Sequence, residues 1–310
     1  MKTEKGFIPV MLTPFTDSGE IDYPALTRLT EVYLGAGAAG LFANCLSGEM
    51  FELTGEERIR AIRHVVKTVN GAVPVVATGT FGGPVAQQAD FAKRVYDCGA
   101  EAVIGITGLL AGEHETDEVF NERVLQLFDL TPGIPMGFYE CPVPYKRLLS
   151  ASQVKQFVDT GRLVYHKDTC LDIEQVREKI AAGAGRTFGL YDAYMVHAVE
   201  SLKAGSAGLS CIQGNFFPEM IAWLCKNYGN ETLSHEVDLV QQFLVHNMDV
   251  MHHVYPVIAK YYLSKRGIGI STFTRRKVGE FTPTVKKEIN SLYDRYRLLE
   301  REVKFENNGH

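Results

Sequence analysis

Short, continuous apolar runs recur along the first two-thirds of the chain, at residues 7–12, 40–44, 73–78, 102–106, 134–139, 163–167, 187–190 and 207–211. Unbroken rather than alternating hydrophobicity is the mark of parallel strands covered on both faces. Amphipathic stretches separate the runs. Residues 22–36 open on an acidic side chain, and Thr54-Gly55-Glu56-Glu57 reads as a cap followed by acidic first-turn residues, which suit a helix N-terminus. Further helices are predicted at 84–98, 115–128, 150–158, 172–182 and 192–203. Strands that alternate with helices in this way predict an α/β fold, a (β/α)8 TIM barrel over residues 1–215. The competing arrangement, a doubly wound open sheet, lacks its G-x-G-x-x-G fingerprint after the first run, and Gly79-Thr80-Phe81-Gly82-Gly83 reads as a tight turn.

Beyond residue 215 the strand pattern stops. Val237, Val240, Leu244, Met248 and Met251 recur at helical spacing and predict one long helix over 231–253, which Pro256 bends or breaks. Val285, Ile289, Leu292 and Tyr296 mark a last helix. Residues 216–310 are therefore expected to form a C-terminal helical extension packed on the barrel.

Composition narrows the function classes. The net charge is −5, and no basic run carries interleaved aromatics, so no nucleic-acid partner is expected. Arg275-Arg276-Lys277 and Lys286-Lys287 read as solvated faces. The six cysteines form no C-x-x-C pair and His246, His252 and His253 no H-E-x-x-H pattern, so neither a metal site nor a redox pair is expected. Cys45, Cys141 and Cys211 fall near strand ends, where a cysteine acts as a small hydrophobe, and reduced thiols suit a cytoplasmic protein. The apolar run at 7–12 is too short for a signal peptide or a membrane span, so no membrane partner is expected.

In a barrel, catalytic groups come from the C-terminal ends of several strands. Lys167 ends one such run. A lysine there is poorly hydrated, desolvation lowers its pKa, and a neutral amine can attack a ketone. The other strand ends are Thr13-Pro14-Phe15, Asn44-Cys45-Leu46-Ser47-Gly48-Glu49, Tyr139-Glu140-Cys141-Pro142, Tyr191-Asp192 and Ser210-Cys211.

These residues, with Gly19-Glu20-Ile21-Asp22, Leu53-Thr54-Gly55-Glu56-Glu57-Arg58, Gly205-Ser206-Ala207-Gly208 and Asn215, resemble the family of dihydrodipicolinate synthase and N-acetylneuraminate lyase, the pyruvate-type class I aldolases. The resemblance covers nearly the whole chain. It implies that Lys167 forms the Schiff base and that the Tyr139 hydroxyl shuttles protons. Ser47 and Gly48 match the turn that holds the keto acid's carboxylate, with Leu46 beside them; as a plain turn residue, Ser47 would instead bond its own backbone. Glu49 falls outside the contacts the family motif makes with substrate and reads as a structural carboxylate.

The departures bear on the reaction. Leu46 stands where the synthases carry the threonine of a hydroxyl relay. The turn Gly108-Leu109-Leu110-Ala111-Gly112 lacks the tyrosine that the synthases donate across a subunit contact, and Pro144 replaces their anion-binding arginine, a role open to Lys146 or Arg147. Thr169 resembles the lyase branch, where a hydroxyl faces the rest of a sugar-acid substrate. Tyr191-Asp192 resembles that branch's polyol-binding segment, although Asp192 has the alternative of capping the next helix, and Ser210 closes the list of expected substrate contacts. Glu140, which replaces a common asparagine, is expected to pair with Lys146 or Arg147 or to bind substrate.

The expected function is a Schiff-base lyase or aldolase acting on a pyruvate-derived, sugar-acid-like 2-oxo acid, without a cofactor and distinct from a standard dihydrodipicolinate synthase. The alternatives are a 2-keto-3-deoxy-sugar-acid dehydratase and a non-catalytic keto-acid sensor. The resemblance also implies a homotetramer or homodimer, with any subunit contact at 108–112 apolar.

Overall fold

A computed structural model describes residues 5–305. Eight parallel strands run in ring order: β1 (Gly6–Phe7), β2 (Leu41–Ala43), β3 (Val75–Thr78), β4 (Ala102–Ile106), β5 (Met136–Tyr139), β6 (Leu163–Asp168), β7 (Gly189–Asp192) and β8 (Gly208–Leu209). β1 pairs with β8, and the parallel bridge Val10–Phe42 brings the first run against β2. The intervening helices are α1 (Tyr23–Gly35), α2 (Gly55–Val69), α3 (Val85–Tyr96), α4 (Asp117–Leu130), α5 (Ala151–Asp159), α6 (Ile173–Ala182) and α7 (Ala198–Ala204). The chain is a (β/α)8 TIM barrel carrying further C-terminal helices.

Side chains alternate across each strand, which sorts them into two cores. Ile8, Val10, Phe42, Val76, Ile104, Tyr139, Tyr165 and Tyr191 fill the barrel interior. Phe7, Leu41, Val75, Val103, Phe138 and Leu209 face the surrounding helices. The interior leaves little room where β1 meets β8: a Cβ on Gly208 would lie 1.7 Å from the Gly6 carbonyl oxygen, so only glycine lets these backbones approach.

Local signals start the helices as expected. Thr54 accepts from the Glu57 N–H at 3.2 Å while the Glu57 carboxylate accepts from the Thr54 N–H at 2.8 Å, a reciprocal cap. Ser150 and Gln153 cap α5 in the same reciprocal manner, and the Asp22 and Asp172 carboxylates accept first-turn N–H groups of α1 and α6.

Three expectations are corrected. The segment 192–203 is not one helix: Asp192 stays in β7, a 3-10 turn spans Met195–His197, and α7 begins at Ala198. The single helix over 231–253 is broken. A 3-10 turn at Glu231–Leu233 leads into α9 (Ser234–His246), and a second turn at Asp249–Met251 follows. The break falls at Asn247, whose side-chain amide donates to the Phe243 carbonyl and accepts from Arg295, partners that a continuing helix could not supply together. Thirdly, α8 (Pro218–Asn227) packs against β1 and α1 and thus completes the eighth strand–helix unit from beyond residue 215.

After Pro256 the chain forms α10 (Val257–Lys265) and the long α11 (Pro283–Val303). Phe217, Phe243, Tyr262 and Tyr296 make the aromatic seam of this region. Two charged contacts tie it to the barrel mouth: Lys260 of α10 donates to Glu49 at 2.8 Å, and Arg275 grips the Glu57 carboxylate with both guanidinium nitrogens, at 2.9 and 2.6 Å.

Candidate active site

Register and alternation decide which side chains meet at the C-terminal end of the barrel. Tyr139 pairs with Lys167, and Lys167 with Tyr191, so the three lie in one layer across β5, β6 and β7. Tyr139 and Tyr191 point inward, and Lys167 shares their parity. Its Nζ sits 4.0 Å from the centroid of the Tyr139 ring. A cavity of about 540 Å³ opens above, lined by Lys167, Tyr139, Leu46, Ser47 and Thr169, with further residues from the C-terminal region.

Lys167 is only 4% exposed, and no carboxylate stands near its amine. Burial therefore pulls its pKa below the ordinary lysine value, helped by the Lys146 charge. The groups whose charge would act on it most are the thiols of Cys45, Cys141 and Cys211. These could hold the ammonium only as thiolates, and burial pushes Cys45 up to about 11 and Cys211 to about 12. With the thiols kept protonated by burial, the desolvation of the lysine goes uncompensated, which shifts its equilibrium toward the neutral amine. Burial likewise raises Tyr139 well above the ordinary phenol value, which keeps its proton in place, with its hydroxyl in reach of the Cys141 thiol.

The residues on either side of Lys167 point the other way. His166 and Asp168 face the helix layer, where Lys179 of α6 donates to Asp168 and to Glu140, both at 2.7 Å. His166 Nε2 lies 3.3 Å from Glu140. Glu140 also accepts from the N–H groups of Leu149 and Thr169, each at 2.9 Å. All four charged side chains are buried. Burial and mutual repulsion push Glu140 up, but His166 and Lys179 more than offset this and hold it below the usual carboxylate range. Asp168 is lowered too, and Lys179 is raised by its two carboxylates. Glu140, His166 and Asp168 bring their donor atoms within 4.8 Å of one another, as a cation site would, and the Lys179 ammonium occupies that place. The expected pairing of Glu140 with Lys146 or Arg147 is thus replaced by a partner that the sequence hid on α6.

The other expected contacts separate. Thr169 stands on the cavity wall, but its hydroxyl donates to the Glu140 carbonyl at 2.6 Å. Ser47 and Leu46 line the wall within a 3-10 turn. Gly48 does not; its carbonyl accepts from Thr13 at 2.6 Å, and a Cβ there would meet the Met11 carbonyl at 2.9 Å. Asp192 has the outward parity of Asp168: it accepts from the Tyr194 N–H at 2.8 Å and pairs with His197 at 2.9 Å, away from the cavity. Tyr191 stacks on Tyr165 inside the barrel, its hydroxyl turned back toward Gly189 and the opposite end. Ser210 also lies inside, accepting from Tyr165 at 3.3 Å. Glu49 is fully buried and saturated by Lys260 and by the N–H groups of Arg275 and Arg276, a structural carboxylate.

Neither basic residue offered as a replacement for the missing arginine stands free. Lys146 donates to the Thr169 carbonyl at 2.9 Å, and Arg147 is spent on Asp117, Gly112 and Glu115. The turn after β4 is largely closed within the chain, with Leu110 and Ala111 buried and the Tyr145 hydroxyl donating to Ala111.

Sequence reasoning missed what the C-terminal region brings. Tyr255, His252 and Arg276 all line the cavity. The Tyr255 hydroxyl accepts from Asn215 at 2.6 Å and neighbours Ser47, and burial raises its pKa. The broken helix is what delivers this wall, since the chain must turn after Asn247 to bring 248–255 over the mouth. Asn215, read only as part of a motif, was the available signal that something polar docks there.

Comparison with known proteins agrees with this geometry. The model of the dihydrodipicolinate synthetase family matches residues 3–295. The 4-hydroxy-tetrahydrodipicolinate synthase of Marinobacter nauticus is 27% identical over 221 residues, 71% of this chain and 74% of that one. A putative 2-dehydro-3-deoxy-D-gluconate aldolase of Escherichia coli, YagE, is 28% identical over 224 residues, 71% of this chain and 73% of its own. The crystal structure of YagE in complex with pyruvate superposes with a TM-score of 0.84 at 22% identity, covering 97% of this chain and 99% of that one. With the family model spanning nearly the full length and the barrel presenting a buried lysine beside a tyrosine at its mouth, the chain belongs to the dihydrodipicolinate synthetase family of class I aldolases and lyases.

Proposed function

We propose that the protein is a Schiff-base lyase or aldolase for a pyruvate-derived 2-oxo acid, distinct from a standard dihydrodipicolinate synthase. The observation that carries the reading is the burial of the Lys167 amine, 4.0 Å over the Tyr139 ring at the floor of the cavity and in no ion pair among the described residues. The amine lone pair attacks the C2 ketone to give a carbinolamine. Loss of water, with the Tyr139 phenol passing the proton to the departing hydroxyl, leaves an iminium. The Tyr139 phenolate then takes the proton of the C4 hydroxyl, C4 leaves as an aldehyde, and the iminium accepts the electron pair of the broken C3–C4 bond to become an enamine. Protonation at C3 and hydrolysis then return the ketone and the free amine. The turn at Ser47 is placed to receive the C1 carboxylate.

Distinctness from the synthases rests on three positions. Leu46 puts an alkyl group where their relay needs a hydroxyl, the turn after β4 offers none, and Pro144 cannot bind an anion. A homo-oligomer of two or four copies remains part of the proposal, by family resemblance.

Reductive trapping tests the reading. Incubation with pyruvate and borohydride should add the mass of a reduced pyruvyl group to the intact chain, and Lys167→Ala should abolish it. An adduct that survives in Lys167→Ala, or none with wild type across a panel of 2-oxo acids, would refute Schiff-base chemistry.

A further inference from the structure

The cavity wall carries one strong cation besides the reactive lysine. Arg276 lines the mouth, and among the described residues its guanidinium makes no hydrogen bond or ion pair. Its neighbour shows the contrast: Arg275 is consumed by Glu57, Gly19 and Glu52. The backbone beneath Arg276 is not loose, because its N–H donates to the buried Glu49 carboxylate at 2.9 Å, which Lys260 holds from the other side. The side chain reaches inward far enough for its charge to lower the Cys141 thiol, across the mouth at the end of β5. The same wall carries apolar side chains, Leu46, Leu171, Ile212 and Met248, beside the polar Gln213 and His252. Asp249 is on the same wall and makes no ion pair with it.

A planar guanidinium, fixed at its base and unpaired at its head on the cavity wall, is a receptor for a carboxylate. Asp192, the strand-end carboxylate that the sequence suggested for a polyol tail, turns outward instead and pairs with His197. We propose that Arg276 receives a second carboxylate of the substrate, so that the preferred substrates are 2-oxo diacids rather than sugar acids. This rests on the Schiff-base reading above. The tail carboxylate meets a cation from the C-terminal region, in place of the arginine whose position is Pro144.

The test compares two acids of equal length, 2-oxoglutarate and 2-oxopentanoate, by the concentration that gives half-maximal reductive adduct. Wild type should favour the diacid by roughly 10- to 100-fold, the worth of a charge-assisted hydrogen-bond pair. Arg276→Gln should bring that ratio near one while pyruvate still forms an adduct, and Arg276→Lys should fall between. Equal affinity in wild type overturns the inference, as does a preference that survives Arg276→Gln. A loss of both acids by the same factor also overturns it, since Arg276 would then hold the C1 carboxylate common to both. An absence of adduct with every acid, pyruvate included, refutes the Schiff-base reading and this inference together, whereas a pyruvate adduct without diacid preference refutes only this one.

Discussion

Replacing Lys179 by methionine should destabilise the fold strongly and reverse its response to pH. The wild-type cluster balances Glu140 and Asp168 against Lys179 and His166, all of them buried. Methionine fills a similar volume but leaves a buried carboxylate without its cation, which costs about 3–5 kcal/mol. For a chain of 310 residues that corresponds to a fall in melting temperature of roughly 5–8 °C. The pH profile is the sharper readout. In the wild type both carboxyl pKa values are depressed on folding. The stability they contribute is therefore present above their unfolded values, about pH 4, and is lost as pH falls through the folded ones. In Lys179→Met only His166 is left to face two buried carboxyls, so one of them lacks a cation, its pKa rises above the unfolded one through burial and repulsion, and stability is lost as pH rises through it. The variant should melt higher at pH 5 than at pH 7, opposite to the trend set by the carboxylates of the wild type. The triple variant Lys179→Met, Glu140→Gln, Asp168→Asn should recover most of the loss, because both carboxylates are gone and His166, buried without them, can give up its proton. A drop below about 3 °C, or an unaltered pH trend measured by circular dichroism melts, would refute the claim that this cluster is a balanced buried charge network.

Tyr139→Phe should still form the reduced pyruvate adduct but lose turnover by about 10²–10⁴-fold; full activity in steady-state assays would remove the phenol from the proton path. The initial rate of imine formation, read by cyanoborohydride trapping, should rise with pH and level off before lysine's ordinary 10.5, because burial lowers Lys167 and the neutral amine is the reactive form. A rise that continues tenfold per pH unit up to pH 10 would show that the amine is not desolvated.

The barrel was legible because its signals are local. Continuous apolar runs, the Thr54 and Glu57 cap and the motif around Ser47 each specify their element without knowledge of distant residues. Lys167 and Tyr139 were legible as strand ends. What stayed hidden depended on direction and on long-range contact. Asp192 lay at the right strand end but with the wrong parity, and the sequence shows no register from which to tell inward from outward. Lys179 is one helical lysine among many until α6 is docked against β5 and β6. Arg276 sits in a basic triplet that resembles a solvated face, and only the Glu49 carboxylate, more than two hundred residues away in sequence, turns its backbone to the mouth.

The same alternation explains how Lys167 is kept apart from so many charges. Lys167 is flanked in sequence by His166 and Asp168, and Asp168 is a carboxylate one residue from the reactive amine. Because side chains on a strand alternate, that carboxylate is delivered to the helix layer, where Lys179 neutralises it, and the amine is delivered to an interior of thiols and aromatic rings. A slip of one residue in the pairing of β6 would exchange the two faces. The lysine would then meet Glu140 and be held as ammonium, and Asp168 would lie buried in the barrel without a cation. The register that Tyr139 and Lys167 share is therefore a condition for the chemistry as well as for the fold, and the outer charge cluster, joining β5, β6 and α6 at the level of the lysine, is what opposes the slip.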